Sequence, residues 1–419
     1  MQPELTVRDD NNLVWQSYAQ MNLADTPLMI KSAQGVYLTL ENGKRMIDGI
    51  SSWWSTCHGH AHPYIVSKVV KQVNDLPHIM FAGLAHNSVY ELSKKLIKIL
   101  PQGLEHFVYC ESGSVAVEIA LKIALQYYSN QRQYRSKFIY FENSYHGDTI
   151  GCSIVTDDNT ITHQFAKKNE HSIKSKLPQN KQDLADFDRL LSNNKEQIAA
   201  VIIEPIFQGA GGMKFHTPEI LAEIYKITKK YGLLFIADEI ATGFYRTGKY
   251  FACDHASITP DIICLGKGIT SGVIPFAAVG TTDEVFFSFY SDNPEYALKH
   301  GTTFAANPLG CMAAIGSIEL FEQKPRKLQV ANMSDQLKSQ LEPLKKHHKV
   351  KEVRVLGAIG AVELDCSIKD ILLMRSLIRK KEAWLRPFGN VLYTMPPFIT
   401  NQNEISTITQ TIESLVLTI

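Results

Sequence analysis

The sequence lacks the features that mark secreted, metal-stapled and membrane proteins. Its seven cysteines are an odd number, lie far apart and include no C-x-x-C pair. That pattern argues against a disulfide framework or a zinc ribbon and favours a reducing cytoplasm. No apolar run approaches the roughly 18 residues that a membrane helix needs. The N-terminal segment has acidic residues and no apolar core, so we expect no signal peptide and a soluble, cytoplasmic protein with no membrane partner.

The sequence also has almost no net charge. Its 43 basic and 42 acidic side chains give a formal charge of +1, which argues against nucleic acid as a partner. With 419 residues, 45% of them hydrophobic, the chain can bury a large core. At roughly 150 residues per domain, this length suggests two or three domains or one large α/β domain with an appendage. No internal repeat or low-complexity stretch is present, so what remains is typical of an enzyme.

The middle of the chain alternates between strand and helix patterns. One pattern with helical periodicity follows Ser114. A second begins at Pro218 and ends at Gly232, a residue type that commonly terminates helices. Continuous apolar runs of strand length occupy residues 106–110, 137–141, 199–205, 233–239 and 261–267. Such strands, when helices separate them, predict an α/β fold with a mainly parallel sheet covered by helices on both faces.

The two ends of the chain have a different pattern. Asn42-Gly43 separates two strand-like pieces, which is a strong hairpin signal. The last hundred or so residues combine a helix, strands around VLGAIGAVEL and a terminal helical segment. We therefore predict a small α+β domain made from residues 1–52 and 323–419, and a large domain from residues 53–322.

The five predicted strands end in, or are directly followed by, polar or ionisable residues. In open α/β sheets, ligands bind beyond the carboxyl ends of the strands, so these residues are expected to form one site. They are Ser112 to Ser114, Tyr145 to Asp148, Glu204, Asp238 with Glu239, and Lys267.

Lys267 and Asp238 suggest a particular cofactor. A buried lysine loses its charge readily and becomes an amine nucleophile. Pyridoxal 5'-phosphate (PLP) needs such a lysine, together with a carboxylate that keeps its pyridine nitrogen protonated. Gly113 and Ser114, at the start of a predicted helix, could bind the phosphate. The plainer alternatives are a solvated surface lysine and a helix capped by Ser112 or Ser114.

Four other patterns each allow two interpretations. Residues 243–250 nearly match a phosphate-binding P-loop, but Tyr250 replaces the required Ser or Thr, so we reject a nucleoside triphosphatase. His58, His60 and His62 alternate, but Pro63 opens a helical pattern, so we expect structural histidines and no metal site. The tryptophans of SSWW could be core residues or a wall for an apolar substrate. Arg386 could bind a substrate carboxylate or form a structural ion pair.

Several motifs together resemble those of class III PLP-dependent aminotransferases. The resemblance covers nearly the whole chain, from about Trp15 to the Met-Pro-Pro at 395–397, and implies the PLP-dependent transferase fold type I. The motifs are ADEIATGFYRTGK, CLGKGIT, DGISSWWSTCHGHAHP, ESGSVAVEIALKIALQYY, YHGDTIG, IIEPIFQGAGGM, HGTTFAANPLGC and WLRPFGNVLYTMPP. Within the family, SSWW, RPFG and LGAIGAVE resemble members that act in biotin biosynthesis rather than ornithine or aminobutyrate transaminases.

The resemblance implies a role for each matching residue. Lys267, Asp238 and Tyr18 are the expected catalytic residues, with Lys267 carrying the cofactor and Asp238 meeting its pyridine nitrogen. The expected cofactor-binding residues are Gly113, Ser114, Tyr145, Asp238, Lys267 and, from the neighbouring subunit of a homodimer, Thr303. The expected substrate-binding residues are Trp53, Tyr18, Tyr145, Lys267, His300, Gly301, Arg386 and Arg246. One departure is Thr302, which stands where family members have proline.

The implied reaction moves an amino group from S-adenosylmethionine to 8-amino-7-oxononanoate by ping-pong kinetics. Lysine as the donor, or another ω-amino acid transaminase reaction, is the alternative within the family. A non-catalytic protein that binds a phosphate ligand is an alternative of another kind, but it leaves Lys267, Asp238 and Tyr145 without a purpose.

Overall fold

The computed structural model describes residues 13–22, 26–157 and 168–419. Residues 1–12 lie outside the described residues. They make up most of the segment on which the expected absence of a signal peptide is based. The strands are β1 (Ile30–Gln34), β2 (Tyr37–Leu40), β3 (Arg45–Asp48), β4 (Leu104–Cys110), β5 (Lys137–Phe141), β6 (Ser172–Ser175), β7 (Ile198–Ile203), β8 (Phe207–Gln208), β9 (Lys214–Phe215), β10 (Leu234–Asp238), β11 (Ile262–Leu265), β12 (Ala277–Thr282), β13 (Val350–Leu356), β14 (Ile359–Leu364), β15 (Ala383–Trp384) and β16 (Val391–Thr394).

The helices follow the strands in alternation through the middle of the chain. They are α1 (Ser51–Trp54), α2 (Pro63–Asp75), α3 (Asn87–Ile99), α4 (Gly113–Asn130), α5 (Ile150–Ile154), α6 (Lys168–His171), α7 (Lys181–Asn194), α8 (Pro218–Lys230), α9 (Cys253–Ala256), α10 (Asp283–Phe287), α11 (Pro308–Gln323), α12 (Arg326–Leu341), α13 (Ile368–Ile378) and α14 (Gln402–Val416). Short 3₁₀ turns lie at Lys267–Thr270, Pro294–Tyr296 and Glu342–Lys346.

The central sheet has the strand order β4-β12-β11-β10-β7-β5-β6 in the described residues. Every residue of β7, β10 and β11 is buried, because helices cover both faces of the sheet. The mainly parallel sheet expected from the apolar runs is confirmed.

Strand β12 is the exception, since it runs antiparallel to both β11 and β4. The sequence pattern did not identify it, because AAVGTT has small residues in place of the bulky apolar ones that mark the other strands. Only residues 266–276 separate β12 from β11. A parallel crossover needs a dozen or more residues, usually with a helix, so this short connection returns the chain in the opposite direction.

Segments from both ends of the chain share one sheet of order β1-β2-β3-β15. The expected hairpin forms between β2 and β3, with Gly43 at φ +84° in the turn. β15, from the C-terminal region, pairs in parallel with β3. The sheet therefore joins the two termini, whereas the domain limits at 52/53 and 322/323 stay a prediction.

The alternating histidines contact protein groups. His58 Nε2 lies 3.0 Å from the Ser317 carbonyl oxygen, and its Nδ1 accepts from Arg326 Nε at 3.0 Å. His60 Nε2 lies 2.8 Å from Asp48 Oδ2, and His62 caps α2. All seven cysteines are free thiols. No helix in the described part of the chain is long and apolar enough to cross a membrane.

Candidate active site

Hydrogen bonds connect the residues that follow β4, β5, β7 and β10. The Asp148 amide donates to Ser114 Oγ at 3.1 Å, and the Tyr145 amide donates to Glu204 Oε2 at 3.0 Å. His146 Nδ1 lies 2.7 Å from Asp238 Oδ2 in a buried hydrogen bond. The strand-end residues therefore form one contiguous site, as the sheet rule predicts.

Lys267 follows β11 and begins a 3₁₀ turn with its backbone at φ +44°. A non-glycine residue in this left-handed region costs about 1 kcal/mol or more, a strain typical of functional sites. Its Nζ lies 5.1 Å from the Trp54 ring centroid and has no hydrogen-bond or ion-pair partner in the described residues. The amine is therefore available to a ligand.

The surroundings of Lys267 shift the pKa of its amine downward. Burial lowers the pKa of the amine, and this effect outweighs the nearby carboxylates of Asp238 and Glu204, which raise it. Burial also raises the pKa of Glu204 to about 7, against backbone amides that donate to its carboxylate. A neutral amine is the nucleophilic form of lysine.

The start of α4 offers an anion site next to Asp148. Ser112 caps the helix through its Oγ, which accepts from the Val115 amide at 3.3 Å. The first amides of a helix have no acceptor within it and attract phosphate groups. A Cβ at Gly113 would lie 3.0 Å from the Ile240 side chain, so this backbone is closely packed. The capping alternative and phosphate binding are thus compatible.

Tyr145 and Tyr18 share one carboxylate. Tyr145 Oη donates to Asp148 Oδ1 at 2.8 Å, and Tyr18 Oη donates to the same oxygen at 2.5 Å. Burial, followed by the contact with Tyr18, raises the pKa of Tyr145 far above its ordinary value. The N-terminal segment that carries Tyr18 is thereby attached to the end of β5.

Trp53 and Arg386 lie on one side of an open cavity of about 490 Å³. The Arg386 guanidinium carbon is 4.9 Å from the Trp53 ring centroid, and the Tyr18 and Trp53 rings meet edge to face at 5.8 Å. All four residues of α1, which carries Trp53, have positive φ angles between 44° and 74°. The strained turn directs Trp53 and Trp54 to different surroundings: Trp53 is 37% exposed, whereas Trp54 is buried.

Three other predicted site residues lie on a loop beside α4. Gly301 and Thr303 are exposed, and Lys122 Nζ lies 3.3 Å from His300 Nδ1. The neighbouring Thr302 Oγ1 donates to Glu111 Oε2 at 2.9 Å. No hydrogen bond or ion pair in the described residues connects this loop to Lys267.

Arg246 is 2% exposed and lies in the protein interior. It donates from one terminal guanidinium nitrogen to the carbonyl oxygens of Ala358 and Pro396, at 3.2 and 3.0 Å. Burial lowers its pKa to about 10. Arg246 does not line the cavity beside Arg386, so its predicted contact with substrate stays a prediction.

Sequence reasoning did not assign roles to two residues of the site. His146 contacts Asp238, and its Nε2 is buried with no partner in the described residues. Trp54 lies beside Lys267 and donates from Nε1 to Tyr393 Oη at 3.2 Å. His146 falls within the strand-end range Tyr145 to Asp148 and Trp54 within SSWW, but a range or a motif does not say which side chain faces the site.

The chain belongs to the class III aminotransferase family, whose sequence profile matches residues 18–416. The adenosylmethionine-8-amino-7-oxononanoate aminotransferase of Buchnera aphidicola subsp. Baizongia pistaciae is 41% identical over 93% of this chain and 92% of its own. The crystal structure of the enzyme with the same name from Methanocaldococcus jannaschii superposes with a TM-score of 0.92 at 31% identity, over 97% of this chain and 98% of that one.

A third relative bears on the cofactor. An amine transaminase from an uncultivated Pseudomonas species, solved in its PLP-bound form, has a TM-score of 0.90 at 27% identity over 97% of this chain and 98% of its own. The resemblance inferred from the motifs is therefore confirmed at the level of the family, and the expected fold type agrees with these structures.

Proposed function

We propose that the protein is a PLP-dependent aminotransferase that moves an amino group from S-adenosylmethionine to 8-amino-7-oxononanoate, yielding 7,8-diaminononanoate for biotin biosynthesis. The observation that carries the proposal is the Lys267 amine, which has no hydrogen-bond or ion-pair partner in the part of the chain that the structure describes and feels the charge of Asp238, in a family of transaminases. The choice of substrates is supported by the names of relatives up to 41% identical.

The residues present fit PLP. The Lys267 amine has no hydrogen-bond or ion-pair partner among the described residues. The start of α4 suits a phosphate, and the Asp238 carboxylate suits a protonated ring nitrogen. His146 Nδ1 and the Ile240 amide each hydrogen-bond to Asp238 and fix the direction of its carboxylate. When bound, PLP supplies an electron sink for negative charge on the substrate carbon.

The remaining chemistry belongs to side chains of this protein. Lys267 Nζ acts as the base that removes the proton from the amine-bearing carbon, and its lowered pKa increases the neutral fraction that can do so. Tyr145 and Tyr18 position Asp148 and close one side of the site. Arg386 binds the carboxylate of the oxononanoate, since its guanidinium lines the cavity.

The homodimer belongs to the same proposal. His300, Gly301 and Thr303 lie on an exposed loop, from which Thr303 would reach the phosphate held by a second copy of the chain. The cytoplasmic location likewise stays a prediction that rests on the sequence.

One assay tests the proposed reaction. Purified protein with PLP is incubated with 8-amino-7-oxononanoate and S-adenosylmethionine, lysine or another donor in turn, and diaminononanoate is measured by mass spectrometry. We expect product with S-adenosylmethionine and parallel double-reciprocal plots, which indicate ping-pong kinetics. If product formed with lysine and not with S-adenosylmethionine, lysine would be the amino donor. Turnover of 2-oxoglutarate with an ω-amino acid, and none of the oxononanoate, would replace the proposed function by the other family reaction.

A further inference from the structure

A second arginine, Arg375, lines the same cavity as Arg386. Arg375 is exposed and lies in the last turn of α13, a helix anchored through the buried side chains of Ile371, Met374 and Ile378. The two guanidinium groups are close enough that Arg375 further lowers the pKa of Arg386, after the larger effect of burial.

Neither arginine forms an ion pair or hydrogen bond with another described residue. Two carboxylates, one on the cavity wall and one hydrogen-bonded to tyrosines that line the cavity, already have partners. Asp157, which also lines the cavity, accepts from the Asn143 amide at 2.9 Å and lies 3.3 Å from Lys174 Nζ. Asp148 accepts from Tyr18 and Tyr145. Within the described part of the chain, the cavity therefore has two like charges that no carboxylate neutralises.

Two adjacent cations repel each other, and an anion placed between them removes that cost. The walls of the cavity include Trp53, Pro387 and Phe388, which suit an alkyl chain better than a fully hydrated ion. The ligand that matches both features is a carboxylate at the end of an aliphatic chain.

We propose that Arg375 is a specificity-determining residue that binds, together with Arg386, the free carboxylate of an aliphatic amino-oxo acid. The inference rests on the proposed function, which it deepens by adding a recognition residue on a rigid helix. The simpler interpretation is that Arg375 only complements the dipole at the C-terminal end of α13. In that case its charge would stabilise the helix and leave ligand binding unchanged.

The experiment measures binding of nonanoate, and of nonanamide as its uncharged analogue, to the PLP-loaded protein by titration calorimetry. We expect R375Q to weaken nonanoate binding about three- to fivefold, which is the range of an exposed charge interaction. R375E should weaken it about tenfold or more, because the new carboxylate repels the ligand. R375K should restore most of the affinity. Nonanamide binding should not change in any of these variants.

Lys380 provides the matched control. It is exposed, follows α13 closely, and does not line the cavity, so K380Q removes the same charge from the same region. Equal nonanoate affinities in R375Q and K380Q would overturn the inference, as would an equal loss for nonanoate and nonanamide. Failure of this inference can be distinguished from failure of the proposed function. Absence of transamination with oxononanoate refutes the function, whereas the nonanoate series refutes or supports the role of Arg375.

Discussion

The two ends of the candidate site are built in different ways. Under the proposed function, we call Gly113, Tyr145, Asp238 and Lys267 the cofactor end, and Tyr18, Trp53, Arg375 and Arg386 the substrate end. The cofactor end lies within a few residues of the central strands, and hydrogen bonds of 2.7–3.1 Å connect those strand ends. The substrate end comes from three regions far apart in the chain, and ring contacts of 4.9–5.8 Å join Tyr18, Trp53 and Arg386.

This difference suggests that the two ends have separate functions, one in the chemical step and the other in substrate selection. Residues on a rigid sheet edge keep reacting groups in a fixed geometry, which chemistry requires. In our proposal, residues from the outer segments select the substrate, and such residues can vary without changing the reaction. Substitutions at the cofactor end should therefore lower turnover for every substrate, whereas those at the substrate end should change the affinity for particular substrates.

The largest expected effect is that of Lys267→Ala at the cofactor end. Without the amine there is no base at the substrate carbon and no covalent attachment for the cofactor, so turnover should fall by about 10⁴-fold or more for every donor and acceptor. Steady-state rates, with K380A as the control, measure this effect. Retention of more than about a hundredth of the activity would assign the chemistry to another group.

Arg386→Gln should have the next largest effect, and of another kind. Loss of a charge-assisted hydrogen bond to the oxononanoate carboxylate should raise KM for that substrate about 10- to 100-fold, while kcat changes little. The separate measurement of kcat and KM distinguishes the two ends. A fall in kcat at unchanged KM would show that Arg386 acts in the chemical step, as residues of the cofactor end do. That result would contradict the distinction between the two ends.

Glu204 should make the free energy of unfolding depend on pH. Because its folded-state pKa of about 7 lies above the usual value of 4.5, the folded protein binds this proton more tightly. The stabilisation is therefore complete below about pH 4.5 and is lost as the pH rises through 7, by at most about 1.4 kcal/mol per unit. Urea unfolding of the apoprotein at pH 5 and 7.5 should show a smaller decline in E204Q.

Glu239 is a second buried carboxylate that tests the same effect. Burial also raises its pKa to about 7, and its carboxylate accepts from the Cys253 amide and from Thr242. We expect E239Q to flatten the pH dependence of stability in the same way. An unchanged decline of stability in E204Q would show that Glu204 is ionised in the folded protein.

The smallest expected effect is that of Thr302→Val in the loop beside α4. Removal of the hydrogen bond to Glu111 leaves the carboxylate partly solvated, so we expect PLP to dissociate only about two- to fivefold more readily. Thr302→Pro, which introduces the usual family residue, should retain the cofactor. Dialysis followed by absorbance measures the retained fraction. If T302V retained PLP as fully as the unchanged protein, the hydrogen bond to Glu111 would have no part in holding the cofactor.

The cofactor end could be predicted from the sequence because its residues follow recognisable strands. Apolar runs identify β7, β10 and β11, and the sheet rule then brings Glu204, Asp238 and Lys267 together. The substrate end could not be predicted in this way, because no periodicity relates Tyr18 to Arg386. Only the resemblance to a family connected them.

Other features became visible only in the structure. The strained turn of α1 decides that Trp53 faces the cavity while Trp54 lies beside Lys267, and its positive φ angles leave no signal in SSWW. Arg375 occupies the last turn of an ordinary helix, where basic residues are common for electrostatic reasons alone. Arg246 is part of the family motif ADEIATGFYRTGK. Its described contacts, however, are with backbone carbonyls and an aromatic ring in the interior.

The most direct test of the account is to locate the bound cofactor. The protein is loaded with PLP, reduced with borohydride to fix the cofactor to the lysine that carries it, digested and analysed by mass spectrometry. The account predicts the modification on the peptide that contains Lys267. Modification of a different lysine under stoichiometric loading, or none at all, would contradict the assignment of the cofactor end and the function proposed from it.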